Sequence, residues 1–251
     1  MKKYLFMTLT FYTILSLASD FSEFQNFDNV INIGIGTQKD ESTNVNGLSS
    51  NTATFTTYTL QGQRILNMGI YIDVLANLTD TSNKSPSAIN YYGINGKLGY
   101  SFQVANDHLL IIPYLYSGLN NNGLFSYNLG QGTVNTNSNA SNLYYFTVGF
   151  GERFEYRINK YILLYADQNF LYNIDQSPAL SGTTQPQNYN SFISSVGAKF
   201  NLVDLFQLGV MGFYTNYQSQ SSNVPISGSS ALAISQPQSS AGGMVTIGLT
   251  Y

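Results

Sequence analysis

The sequence predicts an all-β chain closed into a transmembrane, antiparallel, up-and-down β-barrel of about ten strands. Three observations carry that prediction. Only 9% of the 251 residues are charged while 43% are apolar, whereas a soluble domain is about 25% charged, so something other than water covers much of the surface. Apolar side chains recur at every second position through segments of about ten residues, the period of a strand with one greasy face. The connections between those segments alternate between short and long, as they do in membrane barrels.

Taken from the N-terminus, Lys2 and Lys3 precede an apolar stretch from Tyr4 to Leu17, and Ser16-Leu17-Ala18 supplies small residues for a signal peptidase. Residues 1–18 are therefore expected to be a signal peptide, 19–28 a periplasmic N-terminal segment and 29–251 the barrel. A spanning helix would need about 20 apolar residues, and Ser19-Asp20 ends the run before that. Candidate strands follow at Val30 to Lys39, Ala53 to Arg64, Met68 to Leu78, Tyr92 to Val104, Leu109 to Gly118, Leu143 to Tyr156, Tyr161 to Asn173, Asn188 to Phe200, Leu205 to Gln218 and Ser240 to Tyr251. Alternation is clearest in Met68, Ile70, Ile72, Val74, Ala76 and Leu78, set against Tyr71, Asp73 and Asn77. Leu109 to Leu115 is apolar on both phases, with Pro113 inside it, so alternation assigns that strand no inward face.

Residues 65–67, 105–108, 157–160 and 201–204 are tight polar turns, whereas 40–52, 79–89, 119–142, 174–187 and 219–239 are long and rich in Asn, Ser, Thr, Gln and Gly. Five long and four short connections fit ten strands whose two termini lie together, on the periplasmic side of a bacterial outer membrane. Leu124 to Leu129 and Ala231 to Ser235 are expected to extend strands above the membrane; were they to span it, the count would be twelve. Closure follows from physics. An open sheet edge in hydrocarbon would leave N–H and C=O groups unbonded, at several kcal/mol each, roughly. Phe102, Phe154, Tyr156, Phe200, Phe206 and Tyr251 are expected in a periplasmic aromatic belt, and Tyr92, Tyr144, Tyr172, Tyr189 and Tyr214 in an outer one.

The final strand, Gly243 to Tyr251, carries apolar side chains at Val245, Ile247 and Leu249 and ends on the aromatic Tyr251. It resembles the terminal signature of bacterial outer-membrane β-barrel proteins, and small barrels of the OmpA-like type are the nearest general likeness. The resemblance implies that Val245, Ile247, Leu249 and Tyr251 are what the barrel-assembly machinery recognises. That type usually has eight strands and often a peptidoglycan-binding domain after the barrel; this chain shows ten candidates and no residues beyond them.

With the apolar phase facing lipid, Asp73, Lys97, Arg153, Glu155, Asp167 and Lys199 fall inside, three acids with three bases. Paired, they satisfy one another where an unpaired ion would be costly; the sharper alternative is a charged constriction that selects solutes. Tyr71, Leu75, Tyr91, Tyr161, Leu163, Tyr165, Met211 and Phe213 are expected to fill a small lumen. Glu152 falls on the lipid phase unless a bulge within Gly149-Phe150-Gly151 turns it inward.

Function is bounded mostly by what is missing. With 10 Lys+Arg against 13 Asp+Glu there is no basic surface for nucleic acid, and with no Cys there is neither a thiolate nucleophile nor a Cys-based metal site. Outer-membrane barrel enzymes, by resemblance, rely on a His at the outer rim, and the single His108 lies in a periplasmic turn. No catalytic residue, metal site or cofactor is expected. The expected partners are outer-membrane lipid and lipopolysaccharide, the barrel-assembly machinery and, at the uncharged loops 119–142 and 219–239, a host protein or glycan. The sequence thus leads to a structural or surface-interaction protein of the outer membrane, with a small porin-like channel for small or uncharged solutes as the alternative.

Overall fold

A computed structural model describes residues 21–43, 50–81, 91–104, 108–122, 126–128, 133–134, 143–175, 188–203, 205–218, 232–234 and 239–251. The expected signal peptide lies outside the described residues, and so do the side chains of Tyr144 in the expected outer belt and of Tyr91 in the expected lumen filling. Ten strands form the barrel: β1 (Val30–Thr43), β2 (Ser50–Ile65), β3 (Ile70–Thr81), β4 (Tyr91–Tyr100, resuming at Phe102–Val104), β5 (Leu109–Asn122), β6 (Leu143–Asn159), β7 (Ile162–Asp175), β8 (Tyr189–Val203), β9 (Phe206–Gln218) and β10 (Ser239–Thr250). Each is antiparallel to the next, and β10 pairs with β1 from Val30↔Thr250 to Glu41↔Ser239, so the sheet closes on itself without a free edge. The strands are tilted. The paired residues Lys39, Ala241, Tyr214, Ser194, Gln168, Glu152 and Pro113 start near the loop end of β1 and finish near the turn end of β5, the stagger that closure requires.

Alternation decides the two faces. Ile31, Ile33, Ile35, Leu60, Val74, Ile94, Leu98, Leu115, Phe150, Phe170, Val196, Val210 and Ile247 are exposed on the outer wall, an apolar girdle far larger than a soluble surface carries. That is the surface a bilayer covers. Among the described residues no helix is long and apolar enough to cross a membrane; the crossing is by strands. Most strands run further at the loop end than the apolar alternation reaches, as in β1 to Thr43 and β5 to Asn122, because backbone pairing needs no apolar side chain. Ser126–Asn128 pairs instead with Leu232–Ile234 and Thr133–Val134 in a separate small sheet. These segments do not join the barrel wall, so the count is ten and not twelve.

Two side-chain expectations are corrected. Tyr189 is buried inside, edge-on to Tyr145 at 5.2 Å, because it shares the phase of Ser191 and Lys199 on β8; it is no part of an outer belt. Tyr161 is exposed in the turn before β7 rather than filling the lumen, since a register shift between Ile162 and Leu163 restarts the alternation after it. Glu152 faces outward as strict alternation expects: the register from Gly149 to Glu152 is regular, with no bulge to turn it.

The barrel is closed at its turn end by a helix, α1 (Ser22–Asp28). Phe24 and Phe27 lie three residues apart on one helix face, and with Phe21 they are buried against Ile65, Tyr71, Leu110, Ile112, Tyr114 and Leu163 of the inner wall. This contact explains why β5 is apolar on both sides: Leu110 and Ile112 meet the helix, while Leu109, Ile111 and Leu115 face out. Gly69, in the turn from β2 to β3, has φ 86°, a conformation that suits glycine. A side chain there would also meet the Phe21 ring at 3.1 Å.

Candidate functional site

The candidate site is the lumen, which has three layers. At the turn end α1 is fixed by polar contacts as well as by its phenylalanines. The last carbonyls of a helix have no partner within it, and here the wall supplies them. Gln207 Nε2 donates to the Phe27 carbonyl at 2.9 Å, Lys199 Nζ to the same oxygen at 3.3 Å, and Asn201 Nδ2 to the Asn26 carbonyl at 3.0 Å. Gln25 donates to the Ile65 carbonyl at 3.1 Å and to Asn67 at 2.9 Å, and Arg157 meets Glu23 at 2.8 Å. A cation at a helix C-terminus also complements the helix dipole, the place Lys199 occupies.

Above the helix lies the layer of ions. Lys97 reaches Asp167 at 2.7 Å and Asp73 at 3.9 Å; Asp73 and Lys97 oppose each other on β3 and β4. Arg153 bonds Glu155, lies 3.5 Å from Asp167 directly across from it on β7, and stacks 4.1 Å over the Tyr165 ring. Lys199 pairs with Asp28 of α1 and donates to Gln63 at 3.1 Å. The structure therefore brings Asp73, Lys97, Arg153, Glu155, Asp167 and Lys199 into one buried cluster, joined by Tyr114, whose hydroxyl bonds Asp167 and also Asn169 at 2.7 Å.

Asp28 is the member that alternation did not supply, because it belongs to the helix. It makes a fourth acid against three bases. Burial first, and then the Glu155 carboxylate, push its pKa up to about 8, with Lys199 and Arg153 pulling the other way. Asp28 Oδ2 and Glu155 Oε2 are both without a hydrogen-bond partner. A proton on Asp28 leaves three charges of each sign in the cluster. The helix itself was legible in principle: Phe21, Phe24 and Phe27 recur every three residues beside the polar Ser22, Glu23, Gln25 and Asn26. A period-two search passes over a period of three to four.

The third layer is a cavity of about 340 Å³ that runs from the ion cluster towards the loop ends of the strands. Of the bulky inward residues expected to fill the lumen, Tyr71 and Leu163 pack against the helix with Tyr165 beside them, Leu75, Met211 and Phe213 line the cavity, and the Tyr91 side chain lies outside the described residues. Higher up, inward Asn, Thr and Ser mix with Tyr145, Leu171, Tyr189 and Met244, and some side chains lie flat over glycines of the neighbouring strand. The Asn32 amide covers Gly248 and the Asn95 amide covers Gly118. Asn120 donates to Thr147 at 3.1 Å, Thr147 to Asn173 at 2.8 Å, and Asn173 to Ser191 at 3.0 Å, a polar belt around the wall.

The remaining candidates lie elsewhere. Val245, Ile247, Leu249 and Tyr251 are exposed on the outer side at the β10 seam. His108 sits in the turn before β5, its Nδ1 2.9 Å from the Arg157 carbonyl. Among the described residues no group of three His, Cys, Asp or Glu side chains could hold a metal ion.

No family model matches the sequence, and no curated protein matches it. Among solved structures the chain is similar to the translocator domain of autotransporter NalP from Neisseria meningitidis (12% identity, 99% of this chain and 96% of that one, TM-score 0.41). It is also similar to the β domain of the Bordetella autotransporter BrkA (11%, 88% and 100%, 0.45) and to Neisserial surface protein A (9%, 88% and 97%, 0.37).

Proposed function

We propose that this protein is a non-enzymatic, plugged barrel of the bacterial outer membrane, with both termini in the periplasm and its interactions made from the loop end. The observation that supports this reading best is the buried helix α1 between the ion cluster and the turn end. A general-diffusion pore keeps its lumen open, whereas here three phenylalanines, a helix C-terminus bonded by the wall and a buried ion pair all hold one end shut. The apolar girdle supports the membrane, and an outer-membrane barrel has its short turns towards the periplasm. Lipid and lipopolysaccharide then contact the girdle, the assembly machinery acts on Val245, Ile247, Leu249 and Tyr251, and the uncharged loops are the surface for a host protein or glycan.

Fractionation tests the location. The protein should appear in the outer-membrane fraction, migrate anomalously on gels until boiled, and be nicked on intact cells only between strands at the loop end. Recovery as a soluble periplasmic protein would defeat the reading. Liposome swelling tests the plug: vesicles carrying the intact chain should swell in small sugars no faster than empty ones, and rapid swelling would favour the porin-like alternative. That alternative is supported by one observation, the polar, charge-paired lumen above the helix, and applies if α1 leaves it.

A further inference from the structure

We propose that the outer wall over β6, β7 and β8 is an interface, within the bilayer, with a second copy of this chain. The proposal goes beyond the plugged lumen and rests only on the girdle lying in lipid. Cross-strand pairing sets Glu152 beside Gln168, and Gln168 beside Ser194. Gln168 is two residues from Phe170 and Ser194 two from Val196, so both share the outward face with Glu152. Apolar neighbours enclose this polar row. Phe150, Phe170 and Phe192 lie in contact along its loop side, with ring centroids 5.4 and 4.9 Å apart, and Phe154, Ala166 and Val196 pair along its turn side. The row is therefore inside the girdle and not at its rim.

Hydrocarbon offers such groups nothing to bond, and a charge on the lipid-facing wall is unfavourable there. The ion pairs among the described residues join other side chains, and none includes Glu152. A row across the other side of the barrel, Ile33, Leu60, Ala76 and Ile94, is apolar throughout. A second copy supplies what the polar row lacks. Turned about a two-fold axis along the membrane normal, Glu152 of one copy meets Gln168 of the other, and the same bond forms again with the roles exchanged. Such an axis keeps every residue at its own depth, and the two side chains differ in depth by less than one strand spacing, about 4.8 Å. The carboxylate accepts from the amide nitrogen; a protonated carboxyl would donate to the amide oxygen as well. Phenylalanine faces then pack around the two bonds. Lipid tails bring no donor, and an unrelated protein would need one of its own at this depth.

The chain has no cysteine, so a single introduced thiol reports on one face. Ala166→Cys on β7 and Leu60→Cys on β2, each treated with a short bis-maleimide in native outer membranes, test the interface. Ala166→Cys should give a product of twice the chain's mass, and Leu60→Cys should stay monomeric. Adding Glu152→Leu with Gln168→Leu should reduce that product roughly tenfold, the scale of a hydrogen bond between membrane segments. Glu152→Gln keeps a donor and an acceptor and should retain it. Heat-dependent gel migration shows that each variant barrel is closed. Sedimentation of the parent chain in mild detergent, expected at twice the monomer mass, decides if Ala166→Cys does not fold. The proposal is overturned if the closed Ala166→Cys barrel or the sedimenting parent is monomeric, if both thiols crosslink equally, if the product has another mass, or if the double leucine variant crosslinks like its parent. Failure of the membrane location would be separate, since the chain would then be missing from the outer-membrane fraction.

Discussion

The two halves of the lumen are walled by the same ten strands with the same alternation, yet one is packed and the other is hollow. Near the turns, inward positions are Ile65, Tyr71, Leu110, Ile112 and Leu163, and a helix fills the space between them. Near the loops Asn, Thr and Ser stand among Tyr145, Leu171, Tyr189 and Met244 with no helix between them, and about 340 Å³ stays open. The ion cluster lies at the boundary, where Lys199 and Asp28 tie wall to helix and Lys97, Arg153, Asp73 and Asp167 tie strand to strand. The contrast shows that alternation fixes which residues face inward, while the size and polarity of those residues decide whether the interior is core or site.

The strongest way to break the contrast is to empty the packed half. Phe24→Ala combined with Phe27→Ala removes two fully buried rings, each worth about 3–5 kcal/mol when truncated, and should release α1 while the barrel stays closed. Protease cleavage within 21–28 and loss of heat stability are the readouts. Lys199→Met comes next. It leaves the buried Asp28 carboxyl beside Glu155 without its cation and takes one of two donors from the Phe27 carbonyl, so docking should weaken by about 3–5 kcal/mol, measured by the same cleavage.

How much of this could be read beforehand depends on the period. The ten strands, the closure and the inward phase of Asp73, Lys97, Arg153, Glu155, Asp167 and Lys199 follow from a repeat of two, because a pleated strand offers no other option. Tyr161 falls in a turn before a register shift that resets the phase, whereas Tyr189 keeps the inward phase of Lys199 through a regular register. The helix escaped because its repeat is helical and lies before the first strand. Its partner on β5 was nonetheless visible as an anomaly: a strand apolar on both faces has something apolar inside. The hollow half was the least legible, since an inward Asn or Thr can line a cavity or bond across it, and only the register with neighbouring glycines decides between them.

A glycine pair sharpens the comparison at smaller scale. Gly151 faces inward, where a methyl group would come within 2.6 Å of the Tyr114 hydroxyl and collide with the Gln168 carbonyl. Gly62 faces outward with nothing within 4 Å of that position. Gly151→Ala should therefore cost about 1–3 kcal/mol and Gly62→Ala less than about 0.5 kcal/mol, as read by the temperature at which the folded band is lost.

The smallest effect is with pH. Asp28 has its pKa raised in the docked state, from an ordinary carboxyl value to about 8. Its contribution to docking is thus complete below about pH 4, falls as pH rises through about 8, and is level above that. Cleavage within α1 should be faster at pH 9 than at pH 6, and Asp28→Asn should flatten the difference.

Planar-bilayer recording of the intact chain beside a form lacking residues 21–28 tests the central claim most directly. The intact barrel should be silent and the deletion should give steady, reproducible single-channel steps, reduced or altered when Lys97 or Arg153 is also replaced. Steady steps from the intact chain, or silence from a deleted form that still migrates as a closed barrel, would contradict the helix as the plug.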